Sequence, residues 1–175
     1  MITKTTFYDL LTNLSASFVF LFLVLIFFKP KIIISPYICK GKYLGADQTD
    51  YYFIKIINIS IFSAYDVSIE LLEVDSYPMP NGQMNKRFRP LSLILHKVSH
   101  IAGYRPSWIR KNAPYALRIR TSENLEKILN DDYKAVMIKV SSRHGLTGLV
   151  KIHSKEYVDI TQLKKGKFSY GLKFG

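Results

Sequence analysis

The chain has 175 residues, 25 Lys and Arg against 13 Asp and Glu, a formal charge of +12 and 48% apolar residues. That length suits one domain with a core of ordinary size, and the apolar content excludes a disordered polyelectrolyte, because burial offsets the ordering entropy. One Cys in the whole chain excludes a scaffold of internal disulfides.

The first element in chain order is a span over residues 7–28, uncharged between Asp9 and Lys29 and ending in Phe18-Val19-Phe20-Leu21-Phe22-Leu23-Val24-Leu25-Ile26-Phe27-Phe28. At about 1.5 Å per residue this length crosses the roughly 30 Å hydrocarbon layer, so it is predicted to be a single transmembrane helix. A cleaved signal peptide is the competing reading. Lys29-Pro30-Lys31 stands where the small-residue cleavage site belongs, which favours an uncleaved anchor. A buried core helix is disfavoured because no polar face recurs at the 3.6 period. Lys29, Lys31, Lys40 and Lys42 follow the span and only Lys4 precedes it, so the rest of the chain is expected on the cytoplasmic side of a bacterial inner membrane. The same four lysines are candidate contacts to anionic lipid headgroups. The unpaired Cys39 fits a reducing compartment.

From residue 31 to 175 short β-branched and aromatic runs alternate with turn residues, the pattern of strands. Ile32–Cys39 reads as a strand whose Pro36 places it at an edge or a bulge. Tyr51–Ile59 is apolar on both faces and reads as a central strand. In Tyr65–Val74, Val67, Ile69 and Leu71 point inward against Asp66, Ser68 and Glu70. Pro78-Met79-Pro80-Asn81-Gly82 is a turn. Strands are then predicted over Leu91–Leu95, Val98–Ala102, Tyr115–Arg120, Ala135–Ser141, Leu146–His153 and Phe168–Phe174. In the third of these, Arg118 and Arg120 share an exposed face. Glu123–Asn130 is the one helix outside the span, with Thr121 or Ser122 as its cap and Leu125, Ile128 and Leu129 on its buried side. The expected fold is all-β: one transmembrane helix, then an immunoglobulin-like antiparallel β-sandwich over residues 31–175 with one short helix.

Ala135-Val136-Met137-Ile138-Lys139-Val140, Leu146-Thr147-Gly148-Leu149, Glu156-Tyr157, Asp159-Ile160 and Gly166-Lys167-Phe168 follow one another in an order that resembles the end of the cytoplasmic immunoglobulin-like domain of inwardly rectifying potassium channels. The chain is also similar to small bacterial proteins that join one hydrophobic anchor to such a sandwich through a Lys-Pro-Lys segment. The resemblance implies the fold and, through Lys29, Lys31, Lys40 and Lys42, control by lipid. It does not imply conduction, since a second span, a pore helix and a Thr-x-Gly-Tyr-Gly filter are absent from the sequence.

No phosphate-binding loop or dinucleotide fingerprint occurs, and no cofactor is expected. His96 and His100 have the spacing of two zinc ligands on a helix, but their surroundings read as extended chain and no third ligand is near. The carboxylate pairs Asp47 and Asp50, Glu70 and Glu73, and Asp131 and Asp132 sit in solvated or turn contexts. Cys39 with His144 or His153 lacks a nucleophile signature. An enzyme is therefore not expected. Cations mixed with aromatics, Lys86-Arg87-Phe88-Arg89 and Arg105-Pro106-Ser107-Trp108-Ile109-Arg110-Lys111, give a candidate anionic-ligand set of Arg87, Phe88, Arg89, Trp108, Arg110 and Lys111. Lys164-Lys165-Gly166-Lys167 is a third basic run. The reading is a non-enzymatic membrane-anchored binding module, with the bilayer and its anionic headgroups, an unknown protein and further copies of itself as partners. The alternative is a membrane effector that senses a nucleotide or nucleic acid, such as an antiphage defence component. It ranks second because the anchor already holds the basic domain beside the bilayer.

Overall fold

The structure is a computed structural model that describes residues 4–27, 31–42, 50–105, 112–145, 147–169 and 171–174. Helix α1 spans Lys4–Phe27, 24 residues, and begins three residues before the expected span. It is long and apolar enough to cross a membrane, at about 36 Å by its rise per residue. The side chains from Phe7 to Leu23 are exposed all round the helix. Thr12, Ser15 and Ser17 each donate their hydroxyl to the carbonyl four residues back, at 2.9, 2.8 and 2.9 Å, so these polar positions leave no unmade donor on the apolar surface.

The remainder is mostly β, in two sheets. One holds β1 (Ile32–Ile34), β2 (Ile38–Lys42), β3 (Asp50–Asn58), β7 (Ala116–Thr121) and β10 (Leu163–Lys165). The other holds β4 (Ala64–Pro78), β5 (Met84–Leu91), β6 (Lys97–Ile101), β8 (Lys134–His144) and β9 (Val150–Tyr157). Each sheet grows from one long strand. Along β3, β7 takes one edge while β1 and β2 share the other. Along β4, β8 takes one edge while β5 and β6 share the other.

Residues that alternate inward on both sheets form a single core, including Ile54, Ile56 and Ile119 from the first and Val67, Ile69, Leu71, Val136, Ile138 and Val140 from the second. The alternation of 65–74 and the central place of 51–59 are thus seen in the fold. Helix α2 (Leu125–Leu129) buries Leu125, Ile128 and Leu129 as its spacing requires. It is shorter than the expected 123–130, and its cap is Asn124, whose Oδ1 accepts from the Lys127 N–H at 3.1 Å. The Thr121 hydroxyl donates to the Ser92 carbonyl at 2.6 Å and accepts from the Glu123 N–H at 3.1 Å, one turn ahead of the helix proper.

The expected strand 32–39 is split at Pro36. The pairs Ile34↔Ile56 and Cys39↔Phe53 are offset by two residues, the bulge a proline without an N–H imposes. Ser35 bridges the break: its N–H donates to the Lys55 carbonyl at 2.8 Å and its hydroxyl accepts from the Lys55 N–H at 3.2 Å.

Other expectations change. Leu91–Leu95 is not a strand; β5 runs through the polar residues before it, and 92–96 crosses toward β7, with the Ile94 N–H donating to the Arg120 carbonyl at 3.1 Å. Strand β9 starts at Val150 rather than Leu146, because the chain turns with Gly148 N–H bonded to the His144 carbonyl at 3.0 Å. Of the expected strand 168–174, the described residues 168–169 and 171–174 form no strand but a strap over the outer face of the first sheet. The sheets are not purely antiparallel either, since β10 pairs parallel with β2.

Candidate functional site

The basic run 86–89 lies on the hairpin of β4 and β5, paired from Leu71↔Leu91 to Pro78↔Met84. The hairpin turns at the expected Asn81-Gly82, with Gly82 at φ 77° and the Asn81 Oδ1 accepting from the Gln83 N–H at 3.1 Å. Strand periodicity sends Arg87 and Arg89 to one face and Lys86 and Phe88 to the other. Arg89 lies opposite Glu73 and donates from Nε to its Oε2 at 2.7 Å, while Lys134 Nζ reaches Oε1 at 3.1 Å. Glu73 is only 4% exposed, unlike the solvated context expected for it. Burial pushes its carboxyl up, but hydrogen bonds and charge from Lys134 and Arg89 outweigh that and hold it below the ordinary range. The Arg87 guanidinium lies 5.5 Å from the Tyr77 ring centroid. On the opposite face Lys86 pairs with Glu156 at 3.0 Å, and the Lys139 ammonium stands 5.2 Å from the Phe88 ring centroid. The Arg87 and Arg89 guanidinium groups and the Phe88 ring therefore lie on opposite faces of β5. Trp108, Arg110 and Lys111 lie outside the described residues.

The four lysines that follow the apolar helix are also separated. Lys29 lies outside the described residues, and Lys31 is exposed at the start of β1. Lys40 and Lys42 face Tyr52 and Asp50 along β3. That sets them about 20 and 26 Å from the Asn58 end, where the chain enters the sheet, at about 3.3 Å per strand residue. Lys40 is engaged by Glu126 and, at 3.6 Å, by Asp50; its hydrogen bond to Glu126 raises its pKa.

His96 lies in the loop before β6 and His100 on β6, stacked on Tyr65 at 6.0 Å between centroids. In extended chain residues four apart sit about 13 Å from one another, too far to share a metal. No group of three potential ligands is gathered among the described residues. Glu70 and Glu73, three apart on β4, face opposite ways. Asp131 accepts from the Tyr133 N–H at 3.1 Å as a turn residue, and Asp47 lies outside the described residues. Cys39 is buried on β2 of the first sheet, whereas His144 and His153 belong to the second. Burial raises the thiol, with Lys164 acting against it, so it is not an activated nucleophile.

Sequence reasoning missed Lys55. It is 2% exposed, and with Ile54 and Ile56 in the core it stands on the outer face of β3. Its Nζ donates to the carbonyls of Ser169 and Lys173, both at 2.7 Å, and lies 5.8 Å from the Phe174 ring centroid. Tyr37 adds a second clasp: its hydroxyl donates to the Phe174 carbonyl and its ring stacks on Phe168 at 5.4 Å. Burial, helped by Arg118, lowers the Lys55 pKa. The only sequence signal was a charge inside a strand apolar on both faces. A separate cleft of about 520 Å³ opens where β5 ends, lined by Ile69, Leu71, Leu72, Leu91 and Leu93 together with Glu70 and His96.

No protein-family model matches the chain, and no curated protein matches it. Among solved structures it is similar to Spo0M, a sporulation control protein from Bacillus subtilis, at 8% identity and a TM-score of 0.36, over 77% of this chain and 49% of that one. It is also similar to a Bordetella pertussis protein assigned as ApaA, at 6% identity and a TM-score of 0.36, over 75% of this chain and 94% of that one. The chain thus spans about half the length of Spo0M.

Proposed function

We propose that the chain is a non-catalytic, single-pass membrane protein whose β domain lies on the cytoplasmic face of a bacterial inner membrane and binds a protein partner. The observation that carries this reading is α1, a 24-residue helix whose apolar side chains from Phe7 to Leu23 are exposed all round and which needs a bilayer to cover them. Orientation rests on Lys29 and Lys31 directly after the span against Lys4 before it. We read the two sheets as an immunoglobulin-like sandwich, a reading supported by their shared core and by the channel-like order of residues 135–168.

The partner surface is assigned to the β4–β5 hairpin. It is an exposed cationic edge, suited to an acidic protein segment. Self-association through the span's phenylalanines or the sheet edges belongs to the same reading. The nucleic-acid alternative calls for phosphate and base to be met from one face, and the opposed positions of Arg87 and Phe88 favour a protein partner instead. The test is alkaline carbonate extraction of membranes holding the full chain, with a compartment reporter fused after Gly175. The chain is expected to stay in the pellet and the reporter to behave as cytoplasmic; release by carbonate or a periplasmic reporter would overturn the reading.

A further inference from the structure

The loop 59–63, which joins β3 to β4, is rigidly framed. Asn58 Nδ2 donates to the carbonyls of Phe62 at 2.9 Å and Ala102 at 3.1 Å, and its Oδ1 accepts from the Ser60 N–H at 3.0 Å and hydroxyl at 2.6 Å. The Tyr104 N–H donates to the Ser60 carbonyl at 2.7 Å. Gly103 passes so close that a Cβ there would stand 2.2 Å from the Ile61 carbonyl oxygen. This frame holds out an isoleucine that is 74% exposed, where a water-facing turn ordinarily carries a polar residue.

The loop sits beside the exit of the span. The Ile59 N–H donates to the Lys31 carbonyl at 2.9 Å, and Lys31 follows the last residue of α1 by four positions, a reach of at most about 15 Å. The same end of the sandwich presents two more exposed aliphatics. Val150 pairs with Arg143 next to His144, which itself pairs with Ala64 at the start of β4. Leu172 follows Gly171, where a Cβ would lie 3.5 Å from the Tyr115 hydroxyl, and the Tyr115 carbonyl accepts from the Asn58 N–H at 2.9 Å. Exposed Lys31, Arg105 and Lys151 accompany them. Aliphatic tips among cations match the two layers of a bilayer surface, acyl chains for the first and anionic phosphate for the second.

We propose that loop 59–63 dips Ile61 into the headgroup–acyl boundary of the bilayer that α1 crosses, with Val150 and Leu172 beside it, and so sets how the sandwich stands on the membrane. This rests on α1 being a span, and the experiment separates the two. In a Cys39→Ala background, the full chain carries one environment-sensitive fluorophore on Ile61→Cys, Val150→Cys, Phe20→Cys or Gln83→Cys. Each is reconstituted into vesicles of phosphatidylcholine and phosphatidylglycerol with shallow or deep nitroxide lipids. The Ile61 and Val150 labels are expected to shift to the blue and be quenched by the shallow nitroxide, the Phe20 label by the deep one, and the Gln83 label on the distal hairpin by neither. A quenched Phe20 label with a water-like Ile61 label leaves the span standing and overturns this inference. An unquenched Phe20 label removes the span, and the Ile61 label then decides surface contact alone. A blue-shifted Ile61 label without lipid quenching means that protein, a second copy or another partner, covers the loop, and it overturns the lipid assignment.

Discussion

Lys55 ties the strap to the first sheet with two carbonyl hydrogen bonds made by a group that is itself removed from water. Lys55→Met keeps the volume but leaves those carbonyls without a donor, a loss of about 1–3 kcal/mol that relief from burying an ammonium only partly offsets. The expected result in detergent is a lower denaturant midpoint and faster tryptic cleavage at Lys164, Lys165 and Lys167. An unchanged cleavage rate would show that the strap is held by Tyr37 and Phe168 alone. His144 acts through pH. Burial lowers its imidazole below the ordinary 6.5, so just below that pH the unfolded chain binds more protons than the folded one. Its contribution is therefore complete above about pH 6.5 and declines as the pH falls, at up to about 1.4 kcal/mol per unit. Denaturant midpoints at pH 7.5 and 5.5 should differ more in the natural chain than in His144→Phe. Cys39 carries less information than its solitary place in the sequence implied. At 3% exposure it stays a thiol in either compartment, so its redox state does not report topology.

Elements whose logic is local were legible. The all-apolar run of α1, the inward set Val67, Ile69 and Leu71, the Asn81-Gly82 turn and the buried side of α2 each follow from spacing within a dozen residues. What escaped was set at a distance. Strand β5 stood out in the sequence only as a basic run, because an edge strand guards its backbone with cations and proline, and only its ladder to β4 makes it a strand. The C-terminal strap, described at 168–169 and 171–174, is fixed by Lys55, 114 residues from Ser169, so its aromatic residues resembled a strand. The same holds for the part of the candidate set the structure describes: residues 86–89 are neighbours in sequence, but a strand divides neighbours between faces. Two substitutions test the elements themselves. Glu73→Gln weakens the hold on both Arg89 and Lys134 and should cost about 1–3 kcal/mol, read as a lower denaturant midpoint and earlier cleavage within the hairpin. Gly103→Ala drives a methyl into the Ile61 carbonyl, and displacing backbone rather than a side-chain end should cost about 1–3 kcal/mol.

At the scale of the molecule, the +12 charge does not act as one field. Lys86 opposes Ser76 on β4, about 40 Å along the strand from Ala64 at 3.3 Å per residue. That is several screening lengths at physiological salt, so anionic headgroups at the Lys31 end of the fold would not account for the cations of the hairpin. Those cations are also spoken for in part, Lys86 by Glu156 and Arg89 by Glu73. The full chain in phosphatidylcholine nanodiscs should therefore bind a single-stranded oligonucleotide only through diffuse phosphate attraction. Its affinity should fall steeply between 50 and 200 mM salt, as counterion release requires. The Phe88 ring faces Lys139, away from Arg87 and Arg89, so Phe88→Ala should leave that affinity unchanged. A stacked base would make the same substitution cost about 1–3 kcal/mol. Complexes that persist at the higher salt and weaken in Phe88→Ala would restore the nucleic-acid reading. Loss on Arg87→Ala with Phe88→Ala silent would mark charge alone, as a hairpin that meets an acidic protein surface predicts.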